Sequence, residues 1–118
     1  MADRDWEAEQ RAVCERFGVA PVPAPPRLKL GAGSNLGDPQ AGPVNGLRHP
    51  PTEKTSGWYL WRGGEPGSDP EFFQPIHAAH LLARCPEAIP YLQLPPGFRF
   101  QLAPGHEDVR SDVSLLDV

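Results

Sequence analysis

Prolines fall so densely along this chain that no regular element can run far before meeting one. Sixteen prolines and 12 glycines make up about a quarter of its 118 residues. A proline ring fixes φ and removes a backbone donor, so it ends helix interiors and is confined to the edges of sheets. Pro21, Pro23, Pro25 and Pro26 alone stiffen the stretch after residue 20 into an extended connector. A content this high lies just under the level at which disorder becomes the default reading. Trp, Tyr and Phe cluster in the second half, however, and a folded core is expected there. The length is that of one domain.

The segments between prolines read as short elements. Residues 3–17 form a helix capped by Asp3 or Asp5, with Glu7 in the first turn and Trp6, Val13 and Phe17 on one stripe. Gly18 stops it. Residues 1–26 are therefore an N-terminal helix with a Pro-rich connector, an appendage to a domain over residues 27–118. Within that domain, Arg27–Leu30 and Val44–Arg48 are short strands, and residues 31–43 a long loop. Gly31-Ala32-Gly33-Ser34-Asn35 matches part of a phosphate-binding turn, but it lacks the third glycine, the lysine and the following helix. Ser56–Arg62 is the strongest strand. Trp58 and Leu60 point one way and Tyr59 and Trp61 the other, which predicts a central strand covered on both faces. A second helix is expected from Pro75 to Arg84, with Ile76, Ala79, Leu82 and Ala83 on one face. A one-turn helix follows Pro86. Phe98–Leu102 is an alternating strand with Phe98, Phe100 and Leu102 inward, and Val109–Val113 a last short strand. The connections are too short and too Pro-rich for repeated βαβ units. The class is α+β: a small antiparallel sheet with one main helix packed on a face, plus the N-terminal helix.

The net charge of −4 argues against direct nucleic-acid binding, which needs a basic surface. The longest unbroken apolar run is the four residues Trp58–Trp61, too short for a membrane-spanning helix. The charged start, Met1-Ala2-Asp3-Arg4, is not a secretory signal. With only Cys14 and Cys85, both read as free thiols of a cytoplasmic protein.

No constellation points to catalysis, a cofactor or a metal. His77 and His80 are three apart, with His49 or His106 available as a third ligand, but no Cys pair or Glu-bearing zinc motif accompanies them. Glu107 and Asp108 are adjacent on a strand, so they face opposite ways. Trp58, Tyr59 and Trp61 resemble a stacking platform, yet with a net charge of −4 and Arg62 as their only basic neighbour core packing accounts for them better. The most suggestive feature is acidic: Glu65, Asp69 and Glu71 on one loop, and Glu107, Asp108, Asp112 and Asp117 near the end with Arg110 alone to offset them. Such surfaces attract basic partners. The expected partner-binding residues are Glu65, Asp69, Glu71, Trp61, Glu107 and Asp108.

Several segments together carry a family resemblance: Gly46-Leu47-Arg48-His49-Pro50-Pro51, Thr55-Ser56-Gly57-Trp58-Tyr59-Leu60-Trp61, Asp69-Pro70-Glu71-Phe72-Phe73, Leu94-Pro95-Pro96-Gly97-Phe98-Arg99-Phe100, and Ala103 to Val109. Over about residues 44–116 the chain resembles a bacterial family of domains of unknown function that is also immunity-protein family thirty-three of polymorphic toxin systems. It departs from the family pattern at His106, where Tyr is common, and at Arg110, where an aromatic is. The resemblance implies a non-catalytic cytoplasmic protein that binds and neutralises a cognate protein toxin, with a basic nuclease domain as the toxin its charge best suits. The competing reading is a housekeeping module that binds an unknown ligand through the Trp58–Trp61 region.

Overall fold

The computed structural model describes residues 5–66 and 69–117. Six strands form one sheet: β1 (Lys29–Gly33), β2 (Val44–Arg48), β3 (Thr55–Arg62), β4 (Phe73–His77), β5 (Phe98–Ala103) and β6 (His106–Ser111), in the order β4-β1-β3-β2-β5-β6. Every neighbouring pair is antiparallel except β1 and β3, which run parallel. The α+β class holds, with a mostly rather than wholly antiparallel sheet.

The principal helix is not the expected one. It is α1 (Trp6–Arg16), capped by Asp5, whose side chain accepts from the Ala8 N–H at 3.0 Å. Asp3, the alternative cap, lies outside the described residues. The helix expected over Pro75–Arg84 is instead strand β4, a 3₁₀ turn at Ala78–His80 and a single helical turn, α2 (Leu81–Arg84). The local reason is Pro75. The residue before a proline avoids the α region, so Gln74 stays extended. A strand at the sheet edge tolerates the missing N–H of Pro75, which lies opposite Gly31 of β1. Strand β1 also runs further than expected, taking Gly31–Gly33 out of the long loop.

The core lies on one face of the sheet, the inner face. Trp58 and Leu60 of β3, Leu30 and Ala32 of β1, Val44 of β2 and Phe100 of β5 pack there beneath α1, α2 and the 3₁₀ helix Pro86–Tyr91. The N-terminal helix is built into this layer, because Val13 and Cys14 are buried in the same cluster. Cys14 and Cys85 are both buried free thiols. Burial raises the pKa of each, that of Cys85 to about 12.

Arg48 ties the connector to the sheet. It is fully buried, and among the described residues it has no carboxylate partner. Its Nε donates to the Ser56 carbonyl (2.8 Å), Nη1 to the carbonyls of Val22 (2.8 Å), Leu94 (2.9 Å) and Leu92 (3.3 Å), and Nη2 to that of Pro23 (2.9 Å). Burial lowers its pKa to about 10. A proline-rich segment has few N–H groups with which to join a sheet, and Arg48 supplies the donors instead.

Candidate functional site

Strand alternation divides the side chains between two unlike faces. Trp58, Leu60 and Arg62 of β3 point to the core. Tyr59 and Trp61 point away from it, as expected, but among the described residues no helix covers Tyr59 on that outer face. Tyr59 is 38% exposed while Trp61 is 5% exposed, so the outer side of β3 is open at Tyr59 and covered at Trp61.

Register places the outer residues in transverse rows. One row runs Pro75, Gly31, Tyr59, Leu47, Arg99, Arg110 from the β4 edge to the β6 edge. The next runs Phe73, Gly33, Trp61, Asn45, Gln101, Asp108. The first changes from apolar to polar at β5 and the second at β2, so the outer face has an aromatic half and a charged half.

Glycines explain the aromatic half. A Cβ on Gly31 would stand 2.6 Å from the Tyr59 ring, and one on Gly33 would stand 2.8 Å from Phe72 and 2.9 Å from Trp61. Tyr59 and Phe72 can lie across β1 only because β1 carries no side chains there. Phe73 joins Tyr59 and Trp61 edge-on, with ring centroids 5.3 and 6.0 Å apart. His49 meets Tyr59 edge-on at 5.5 Å while its Nδ1 bonds the Leu115 carbonyl (2.9 Å). A shallow cleft of about 320 Å³ results, walled by Leu47, Tyr59, Trp61 and Phe73, with Glu65 on one rim and Arg99 on the other.

The charged half is internally matched. Arg99 Nη1 is 3.4 Å from Asp112 Oδ2, and Arg110 pairs with Asp108. That Arg110 bond holds Asp108 below the usual carboxylate range. A chain of side chains crosses the strands beside them. His106 Nε2 meets Gln101 Oε1 at 3.1 Å, Gln101 Nε2 donates to Asn45 Oδ1 at 3.0 Å, and Asn45 Nδ2 donates to the Gly63 carbonyl at 2.7 Å.

The six expected partner-binding residues therefore separate. Glu65 and Trp61 share the cleft, although Trp61 is only 5% exposed and its Nε1 donates to the Gly64 carbonyl (2.7 Å). Asp69 and Glu71 are exposed on the same loop, where Asp69 Oδ1 accepts from the Glu71 N–H (2.9 Å). Asp108 is on the outer face at the far edge. Glu107 faces the helix layer, bound by both Arg16 nitrogens (2.9 and 3.0 Å) and by the Tyr91 hydroxyl. These bonds, Arg16 first, hold its pKa down to about 2. Glu107 and Asp108 are both surface acids already paired with an arginine. By contrast Glu65, Asp69 and Glu71 make no ion pair among the described residues.

Trp58, the other anchor of the ligand-module reading, is fully buried and donates to the Leu92 carbonyl at 2.8 Å. Its place in that region passes to Tyr59, with Leu47 and Phe73. Neither of those two was picked out from sequence, and the signal that marks them is Gly-x-Gly in a strand beside a doubly aromatic one. His77 and His80 stand edge-on at 5.8 Å, and among the described residues no third metal-ligating side chain joins them. No described helix is long and apolar enough to cross a membrane.

Comparison with curated proteins and with solved structures finds no match. A family comparison matches residues 9–112, which begins inside α1 and reaches beyond the stretch carrying the sequence resemblance. The chain belongs to the Imm33-like domain family.

Proposed function

We propose that this protein binds and neutralises a cognate bacterial toxin, non-catalytically and in the cytoplasm, through the outer face of its sheet. Membership of an immunity-type family supports the class of function. The observation that carries the surface is the open aromatic half: Tyr59 stands exposed over Gly31 beside a loop whose acids have no counter-ion among the described residues. Protein partners favour such anchors, an aromatic at the centre with charges around it. Occlusion of a toxin's active cleft needs a complementary surface and no chemistry. A nuclease domain suits the acidic loop, since a cleft that holds phosphates is basic.

The test is capture and rescue. Tagged protein purified from the native host should retain one stoichiometric toxin-like partner, and should restore growth to cells expressing that partner. Tyr59→Ala should weaken capture, while Glu53→Gln, in the exposed turn before β3, should not. Reversing Glu65, Asp69 and Glu71 to Lys should slow association at low salt if the partner is basic. A partner that binds all these variants alike removes the outer face from the proposal.

The ligand-module reading keeps one observation in its favour, the cleft beside Tyr59. A small molecule that protects the protein thermally, and loses that effect in Tyr59→Ala, would establish it.

A further inference from the structure

We infer that the cleft on the outer face is a seat for a single lysine or arginine side chain of the partner, held between Tyr59 and Glu65. This rests on the proposed toxin-binding face and adds the chemistry of what enters it.

Three observations converge on a cation. The cleft is lined largely by rings, Tyr59, Phe73, Trp61 and His49, and of these Tyr59, 38% exposed, offers the open ring surface. Ring faces attract cations, and apolar walls accept the methylene stem of Lys or Arg. Glu65 stands on the rim, exposed and without an ion-pair partner among the described residues. Most other acids near the sheet are already engaged: Glu107 by Arg16, Asp108 by Arg110, Asp112 by Arg99 and Glu87 by Arg62. The stretch 63–72 between β3 and β4 carries Glu65, Asp69 and Glu71 and no Lys or Arg, so no side chain of its own can supply the charge.

Arg99 gives the seat a direction. It lines the cleft from β5, two strands from Tyr59 in the same row, with Nη1 3.4 Å from Asp112 Oδ2. Its charge repels a cation at that end, so the incoming group is confined to the Glu65 side. A partner side chain thus enters with its stem over Tyr59 and Phe73 and its charge at Glu65.

The experiment is a titration of the full chain, followed by amide and indole NMR shifts. The probes are three capped dipeptides: acetyl-Leu-Lys-amide, acetyl-Leu-norleucine-amide and acetyl-Leu-Glu-amide. The lysine probe should shift Tyr59, Glu65 and Phe73 saturably, with the neutral probe about threefold to tenfold weaker and the glutamate probe weaker still. Glu65→Gln should abolish the preference for lysine over norleucine, and Glu53→Gln should preserve it. Equal affinity for lysine and norleucine, no saturable shift, or a preference that survives Glu65→Gln would each overturn the seat. The two proposals fail separately. A captured toxin that is lost on Tyr59→Ala but indifferent to Glu65→Gln removes the cation seat alone. A lysine-selective cleft in a protein that rescues no toxin removes the neutralising function alone.

Discussion

Leu60 and Tyr59 are neighbours on one strand, and the sheet gives them opposite fates. Leu60 is sealed under the helix layer with Trp58 and Phe100, while Tyr59 lies in the open over a strip of bare backbone. The inner face is held by burial and by two arginines that satisfy carbonyls. Arg48 bonds five of them, and Arg62 Nε donates to Leu36 at 2.7 Å. The outer face is held by ring contacts at its surface and by ion pairs in water. Stability and recognition are therefore separable here: the inner face carries the first, and the outer face is free to carry the second.

The sharpest way to break that division is Arg48→Met. It should cost about 3–5 kcal/mol in urea unfolding, since it leaves the carbonyls of Ser56 and Leu94 without their buried donor and releases Val22 and Pro23 of the connector. A loss under about 1 kcal/mol would show that the connector is held by something else. Leu60→Ala comes next, at about 2–4 kcal/mol, because it empties space in a closed core. Gly31→Ala probes the boundary between the faces. Its Cβ would stand 2.6 Å from the Tyr59 ring, which His49 and Phe73 flank, so the ring must shift and the cost should be about 1–2 kcal/mol. The same change should disturb binding at the cleft more than it disturbs folding.

Glu107 sharpens the comparison through pH. Its pKa is held near 2, against an ordinary 4.5. A carboxylate with a depressed pKa stabilises the fold above its ordinary value, and that contribution fades as pH falls from about 4.5 toward 2. Glu107→Gln should therefore flatten acid unfolding across that window. It should cost under about 1 kcal/mol at neutral pH, because Arg16 is half exposed. Tyr59→Ala closes the series. It should change stability by less than about 1 kcal/mol while removing the anchor of the outer face. A larger loss would make Tyr59 a structural residue and weaken the case for the outer face.

The strands β2, β3 and β5 were legible from alternation, and so was the opposition of Trp58 and Leu60 to Tyr59 and Trp61. The helix expected over Pro75–Arg84 was not there. Ile76, Ala79, Leu82 and Ala83 satisfy a helical period, but Phe73–His77 gains a partner strand in β1 that periodicity cannot represent. The acidic candidates were legible as charges but not as partners. Asp108 and Glu107 found arginines two and ninety-one residues away. Glu65, Asp69 and Glu71 found none among the described residues.

By itself the sequence determined the α+β class, the alternation of the central strands, the free thiols and the acidic loop, because these follow from local residue order and composition. Tertiary structure decided the rest: the parallel pairing of β1 with β3, the burial of α1, and the choice of which sheet face stays open. The physical reason is that a side chain's alternation says only that neighbours face apart. Which side is water depends on where α1 and the 90s segment pack, and that is set by long-range bonds such as those of Arg48, which no stretch of sequence contains.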